Sequence, residues 1–241
     1  LRGLRRPDPS IITELLRVGW PIGLTLAFEV GLFSVAALLM GRFGEAALAG
    51  HQIALQAASI TFMVPLGLAT ATAVRTGRAA GAGDEAGVLR AGITGLAAAV
   101  AFMSCSAAVF WFAPTLVVGA FLDPSNPVNE GAVRFAVTFL GYAALFQVVD
   151  GVQVVATGAL RGLKDTRGPM AISIVSYWLV GMTTAITLAF PFGMRGDGLW
   201  IGLVAGLAVA AILLTYRFLR RTRPAGWRAR HGAETQGEVT S

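Results

Sequence analysis

The stretch Val18–Met40, VGWPIGLTLAFEVGLFSVAALLM, carries a single charge, Glu29. A helix needs about 20 apolar residues to cross a hydrocarbon core about 30 Å thick. Five similar stretches follow and hold one more charge among them, Asp150; they are 52–74, 91–113, 135–160, 169–192 and 198–216. These runs lack the alternation of barrel strands, and backbone groups in lipid must be satisfied within a helix. The sequence predicts an all-α integral membrane protein, a bundle of six transmembrane helices.

Composition agrees with a membrane environment. Hydrophobic residues make up 55% of the 241 residues, and charged residues make up only 13%, whereas soluble domains carry about 25%. Most of the chain is therefore expected to contact lipid or other helices. The net charge of +6 does not require a nucleic acid partner, because its distribution along the chain has another explanation.

The basic residues follow the topology of the predicted helices. Arg42, Arg134 and Arg195 fall on one side of the membrane, and the other 16 of the 19 basic residues fall on the opposite side. The positive-inside rule then places both termini in the cytoplasm. We divide the chain into a cytoplasmic flank (1–17), a transmembrane unit (18–219) and a basic cytoplasmic tail (220–241) whose polar composition predicts disorder.

Glu29 lies near the centre of the first predicted helix. A charge at that depth costs at least about 2.5 kcal/mol. A carboxyl group there can instead bind and release H⁺ or Na⁺, and intramembrane acids are commonly functional. The structural alternative is a neutral, hydrogen-bonded Glu between helices.

Asp150 lies about 10 residues before the basic end of the fourth helix, which is roughly 15 Å of depth at 1.5 Å per residue. Gln147, Gln153 and Thr157 fall with it within about 120° on a helical wheel. This polar stripe is predicted to line an internal cavity and to bind a cation or substrate. An interhelical polar clamp is the alternative.

A second polar stripe follows the second helix. Gln52, Gln56, Ser59 and Met63 are spaced four, three and four apart and share one face, as either cavity-lining residues or polar contacts between helices. His51, at the start of this helix, is predicted to be a surface or capping residue.

Two kinds of residue bear on helix geometry. Pro21 and Pro65 interrupt predicted helices and remove backbone donors, so they are candidate hinges, although ordinary transmembrane helices also tolerate proline. Gly198, Gly202 and Gly206 are spaced by four in the last helix, which predicts close helix packing.

Enzyme signatures are missing from the sequence. There is no Gly-x-Ser-x-Gly motif, no Walker loop and no cluster of Cys and His ligands for a metal. We therefore predict a protein that is not an enzyme and has no cofactor. Any transport by it would use an ion gradient.

Several motifs resemble one family. Gly19-Trp20-Pro21-Ile22-Gly23 with Phe28-Glu29-Val30-Gly31, then Ala49-Gly50-His51-Gln52-Ile53-Ala54 and Val64-Pro65-Leu66-Gly67, look like the seventh and eighth helices of the multidrug and toxic compound extrusion (MATE) family, in its NorM-like branch. Asp150-Gly151-Val152-Gln153 and the run from Gly158 to Arg167 resemble its tenth helix and the loop that follows. The resemblance covers residues from about Arg17 to Arg221.

The resemblance implies the C-terminal lobe of a two-lobe, 12-helix transporter of a bacterial inner membrane. Such transporters export drugs or organic cations by antiport with H⁺ or Na⁺. Glu29 and Asp150 match acids associated with cation coupling, so a possible Na⁺ site is expected at either residue. The partners implied are membrane lipid, a small-molecule drug and an N-terminal lobe absent from this sequence.

Two other functions are considered. A related flippase for lipid-linked precursors would be expected to hold basic residues for phosphate, whereas these helices hold acids. An intramembrane aspartyl protease would pair Glu29 with Asp150 within hydrogen-bonding reach, but the Gly-x-Gly-Asp pattern of that group is missing.

Overall fold

The computed structural model describes residues 9–222. Its helices, in chain order, are α1 (Pro9–Gly41), α2 (Glu45–Gly81), α3 (Glu85–Phe112), the short α4 (Pro114–Gly119), α5 (Glu130–Gly162), α6 (Arg167–Ile174), α7 (Thr183–Ala189) and α8 (Arg195–Arg221). A π-helical segment, Val175–Met182, joins α6 to α7.

Six helices in this part of the chain are long and apolar enough to cross a membrane, and α6, the π segment and α7 together form the fifth of them. The six-helix prediction is therefore confirmed. Five of the six are longer than the apolar cores predicted for them: α2 runs from Glu45 to Gly81 around the core 52–74. Hydropathy detects the residues in lipid, whereas backbone hydrogen bonding continues into the polar interface.

The predicted boundaries of the N-terminal flank and the C-terminal tail can be compared with the ends of α1 and α8. Helix α1 begins at Pro9, inside the predicted flank 1–17, and α8 continues to Arg221, inside the predicted tail. Residues 223–241, which make up nearly all of that tail, lie outside the described residues, so its predicted disorder stays a prediction.

Helix α5 is central and packs against α2, α3 and α8. Its buried positions include Phe139, Leu140, Phe146, Val155 and Leu160. Helix α1 is the least buried span, with 17% of its most apolar window covered, against 56% for α8. The bundle therefore leaves the side formed by α1 and the adjacent face of α2 open.

The glycine stripe of α8 packs against the fifth span. A Cβ on Gly198 would lie 2.6 Å from the backbone nitrogen of Ala189, and one on Gly206 would lie 2.8 Å from the Cα of Gly181. Contacts this short exclude a side chain, so the predicted packing role of the stripe is confirmed. Gly181 lies within the π segment, where the two backbones are in direct contact.

Candidate functional site

A cavity of about 310 Å³ opens between α1, α2 and α5. Both intramembrane acids line it: Glu29 from α1 and Asp150 from α5. They are 121 positions apart in sequence, and the fold brings them to one site. Asp150 is buried with 6% of its surface exposed, whereas Glu29 is half-buried.

The two carboxyl groups are within electrostatic range of each other. Two negative charges in a poorly solvated site repel. A bound proton or metal cation, or a positively charged ligand, removes that repulsion. The two acids by themselves thus favour a cation, and the positive charge of Arg161, which is within electrostatic range of Glu29, offsets part of this preference.

The wall contributed by α2 contains three of the four predicted residues. Gln52, Gln56 and Ser59 line the cavity with the acids, and the Ser59 hydroxyl donates to the carbonyl of Leu55 at 2.8 Å. Met63, one turn further on, is 58% exposed and does not line it. These residues share the open face of the bundle, and their part in binding stays a prediction.

Aromatic rings complete the cavity. Phe33, Phe62 and Phe146 line it, and the rings of Phe33 and Phe146 meet edge to face with centroids 5.9 Å apart. Sequence reasoning missed these residues because phenylalanine in an apolar helix carries no signal of its own. Rings beside acids can hold organic cations through cation–π contacts.

The polar stripe of α5 divides into two environments. Gln147 is buried and turned to α2 and α3: its Oε1 accepts from the hydroxyls of Thr61 and Ser106, the latter at 3.1 Å. Gln147 therefore joins three helices and does not line the cavity. Its predicted role in binding stays untested.

Gln153 and Thr157 lie one and two turns beyond Asp150 on the same helix. Both are buried and neither lines the cavity, and Gln153 Oε1 and Thr157 Oγ1 have no hydrogen-bond partner within residues 9–222. Buried polar atoms usually have a partner.

Two further ionisable groups interact electrostatically with the acids but do not line the cavity. Arg161, near the end of α5, is within electrostatic range of Glu29, and the buried Tyr177 of the π segment is within range of Glu29, Asp150 and Arg161. Arg161 was counted only as a topology signal. Tyr177 is the one ionisable residue of the fifth predicted span, and that isolation is the signal that could have identified it.

His51 is not at the surface, so the prediction of a surface or capping residue is wrong. Its side chain is fully buried and contacts the rings of Trp200 and Phe139, with centroids 5.5 and 6.5 Å away. The residue immediately precedes the predicted apolar core 52–74, but α2 starts six residues before His51, at Glu45. His51 consequently lies inside the bundle.

The candidate hinge residues both lie within continuous helices. Pro21 is in α1 and Pro65 is in α2, and both are buried. The Thr25 hydroxyl donates to the Pro21 carbonyl at 2.7 Å. A hinge role for either proline stays a prediction.

Known proteins match this chain in sequence. The "Probable multidrug resistance protein NorM" of Mesorhizobium japonicum is 53% identical over 218 residues, which are 90% of this chain and 47% of that protein. The protein of the same name in Deinococcus radiodurans is 49% identical over 212 residues, 88% of this chain and 47% of its own length. The chain thus spans about half the length of these curated relatives.

Solved structures share the fold. A eukaryotic MATE transporter superposes with a TM-score of 0.77 at 23% identity over 92% of this chain and 51% of its own. An outward-facing multidrug resistance MATE family transporter gives 0.77 at 24% identity over 90% of this chain and 48% of its own. In both, the match is to one lobe. The MatE family model matches residues 21–187, and the chain therefore belongs to the MatE family of transporters and not to a family of enzymes.

Proposed function

We propose that this chain is half of a secondary active transporter that exports organic cations or cationic drugs in exchange for H⁺ or Na⁺. One observation carries the proposal: Glu29 and Asp150 line the same cavity together with Phe33, Phe62 and Phe146. Acids and aromatic faces in one poorly solvated site suit a cation that is partly apolar. The relatives named multidrug resistance proteins support drugs as substrates.

The coupling ion and the drug would compete for the acids. A proton or Na⁺ neutralises the carboxylates, so a cationic drug then loses its electrostatic partner. A ligand shifts a conformational equilibrium only by its differential affinity for the two states. Alternate occupancy by the drug and the ion would therefore drive alternation between inward-facing and outward-facing states.

The unpartnered polar atoms beyond Asp150 extend the proposal. Gln153 and Thr157 lie on α5 between Asp150 and the end at which the basic residues cluster. A chain of waters along these side chains would connect Asp150 to that membrane face. We therefore include Gln153 and Thr157 with Asp150 in the path of the coupling ion.

A second six-helix lobe would complete the transporter. Gln52, Gln56 and Ser59 line a cavity on the open side of α1 and α2, and all three are exposed. A facing lobe would enclose the drug against this wall. We propose a bacterial inner membrane for the assembly, in line with its bacterial relatives. The positive-inside rule would place both termini of this chain in the cytoplasm.

The test uses inside-out vesicles containing the full-length transporter and follows ethidium export. We expect Glu29→Gln and Asp150→Asn each to reduce the export rate at least tenfold. Glu130→Gln is the matched control, because Glu130 is exposed at the start of α5 and outside the cavity. Export at the wild-type rate by both cavity variants would refute the role of the acids.

The same vesicles are used to identify the coupling ion. A proton gradient imposed without Na⁺, and a Na⁺ gradient imposed with the proton gradient collapsed, are compared for ethidium export. Export with neither gradient would contradict antiport. Translocation of a lipid-linked precursor in place of ethidium would instead favour the flippase alternative.

A further inference from the structure

Phe33 and Phe146 occupy matching positions beside the two acids. Phe33 is four residues after Glu29 on α1, and Phe146 is four residues before Asp150 on α5. Residues four apart lie on one face of a helix, one turn from each other. Because the first and fourth spans cross the membrane in opposite directions, both rings lie toward the membrane face at which α1 ends and α5 begins. Their edge-to-face contact thus borders the acids on that side.

The orientation of the Phe146 ring decides what a bound cation meets. An aromatic ring is negative on its faces and positive along its edge, so a cation is attracted to the face. Phe146 lines the cavity although it is only 3% exposed, so little of its ring is accessible there. A modest rotation of this ring would therefore change its contribution to binding.

Trp200 of α8 lies behind Phe146. The two rings meet edge to face, with centroids 6.1 Å apart and planes at 82°. Trp200 is fully buried and does not line the cavity, whereas Phe33, the other ring in contact with Phe146, does line it. Phe146 is thus held between one ring in the cavity wall and one ring in the core.

Trp200 is itself held in place by its neighbours. Phe139 stacks on it with centroids 6.1 Å apart, and His51 meets it edge to face at 5.5 Å. Two residues further along α8, a Cβ on Gly202 would lie 2.4 Å from the Cα of Ala185, so the backbones of α8 and the fifth span are in direct contact. The indole Nε1 has no hydrogen-bond partner within residues 9–222. Ring packing and the position of α8 therefore determine where the indole lies.

We propose that Trp200 is a positioning residue for the drug site and that, through Phe146, it favours planar aromatic cations over aliphatic cations of the same charge. This inference rests on the transport function proposed above. A planar cation stacks on a ring only when the ring has a fixed direction. A nearly spherical ammonium ion contacts the same ring in many orientations. Loss of Trp200 should therefore weaken the binding of planar cations more.

The test measures equilibrium binding of ethidium, which is planar, and of tetraethylammonium, which is aliphatic, to the purified full-length transporter in nanodiscs. Trp200→Leu is expected to raise the Kd of ethidium about tenfold and that of tetraethylammonium less than about twofold. A loss of folded protein lowers the number of sites for both ligands equally, so it leaves the ratio of the two Kd values unchanged. Trp200→Phe keeps a smaller ring and should change the ratio about threefold, which keeps the proposal testable if Trp200→Leu does not fold.

A double variant tests whether Trp200 acts through Phe146. Phe146→Leu alone should shift the ratio as Trp200→Leu does. Adding Trp200→Leu to Phe146→Leu should then produce no further shift, because the ring that Trp200 positions is already gone. A second shift of the same size in the double variant would overturn the proposal.

Phe218→Leu is the matched control. Phe218 is also a fully buried aromatic residue of α8, about five turns from Trp200, and its replacement should leave the ratio at the wild-type value. An equal shift in Phe218→Leu, or a wild-type ratio in both Trp200 variants, would overturn this inference alone. A wild-type protein that binds neither cation would instead refute the proposed transport function, and this inference with it.

Discussion

The indole Nε1 of Trp178 donates a hydrogen bond to the backbone carbonyl of Phe28 at 3.2 Å. The two rings also meet edge to face with centroids 6.2 Å apart. This pair joins the π segment of the fifth span to α1 one residue before Glu29. π-Helical segments occur frequently at functional sites. The position of Glu29 in the cavity is thus linked to the conformation of the π segment.

Trp178→Phe tests this link, because it keeps an aromatic ring and removes the donor. We expect a loss of about 1 kcal/mol in unfolding free energy and slower ethidium export per folded molecule. Thermal unfolding and vesicle export measure the two effects. Trp111→Phe is the control: Trp111 is 58% exposed near the end of α3, and its replacement should change neither quantity. Unchanged export by Trp178→Phe would show that the function of Glu29 does not depend on this hydrogen bond to the π segment.

Gln147 and Gln56 allow the two polar stripes to be distinguished. Gln147→Ala removes the acceptor shared by Thr61 and Ser106 and leaves a buried void, so we expect a loss of about 2–4 kcal/mol in stability. Gln56→Ala alters an exposed cavity wall and should change stability by no more than about 0.5 kcal/mol.

The effects of the two variants on ethidium affinity should be opposite in order to their effects on stability. Gln56→Ala is expected to weaken the apparent affinity for ethidium, whereas Gln147→Ala should lower the amount of folded protein and preserve the affinity of what remains. Both are measured as export against ethidium concentration, normalised to folded protein. A large affinity change in Gln147→Ala would support its predicted role in binding.

The sequence predicts the six helices well, because hydropathy reports directly on the membrane environment. It also identifies, as lone intramembrane charges, the two acids that line one cavity in the structure. It is harder to predict which neighbouring helices each face of a helix contacts. Gln147 and Asp150 are only about 60° apart on the wheel, yet one joins α2 and α3 while the other reaches the cavity. A helical wheel gives directions, and only the packing of neighbouring helices decides what lies in each direction.

For the same reason, the sequence could predict neither the burial of His51 nor the presence of the π segment. The burial of His51 depends on Trp200, which is 149 residues away in sequence and approaches it only in the folded bundle. The π segment accompanies the close approach of Gly181 to Gly206. Neither contact leaves a local pattern in the sequence.

Gly158 and Gly67 form a second matched pair. A Cβ on Gly158 would lie 2.9 Å from the carbonyl carbon of Ala69 in α2, whereas one on Gly67 would meet nothing within 4 Å. Gly158→Ala should therefore force α2 and α5 apart and cost at least about 1–3 kcal/mol. Gly67→Ala should stabilise its helix by about 0.5–1 kcal/mol. Thermal unfolding measures both, and equal effects would mean that α2 and α5 are less closely packed than the structure shows.

The proposed orientation gives the last prediction, which uses the single native cysteine. Cys105 is replaced by serine, and cysteine is then introduced at Arg78 or at Asp123, both exposed and on opposite membrane faces by the helix order. In intact cells a membrane-impermeant maleimide should label Asp123→Cys and leave Arg78→Cys unlabelled until the cells are permeabilised. The reverse pattern would place the membrane face that carries 16 of the 19 basic residues outside the cytoplasm, contrary to the positive-inside rule.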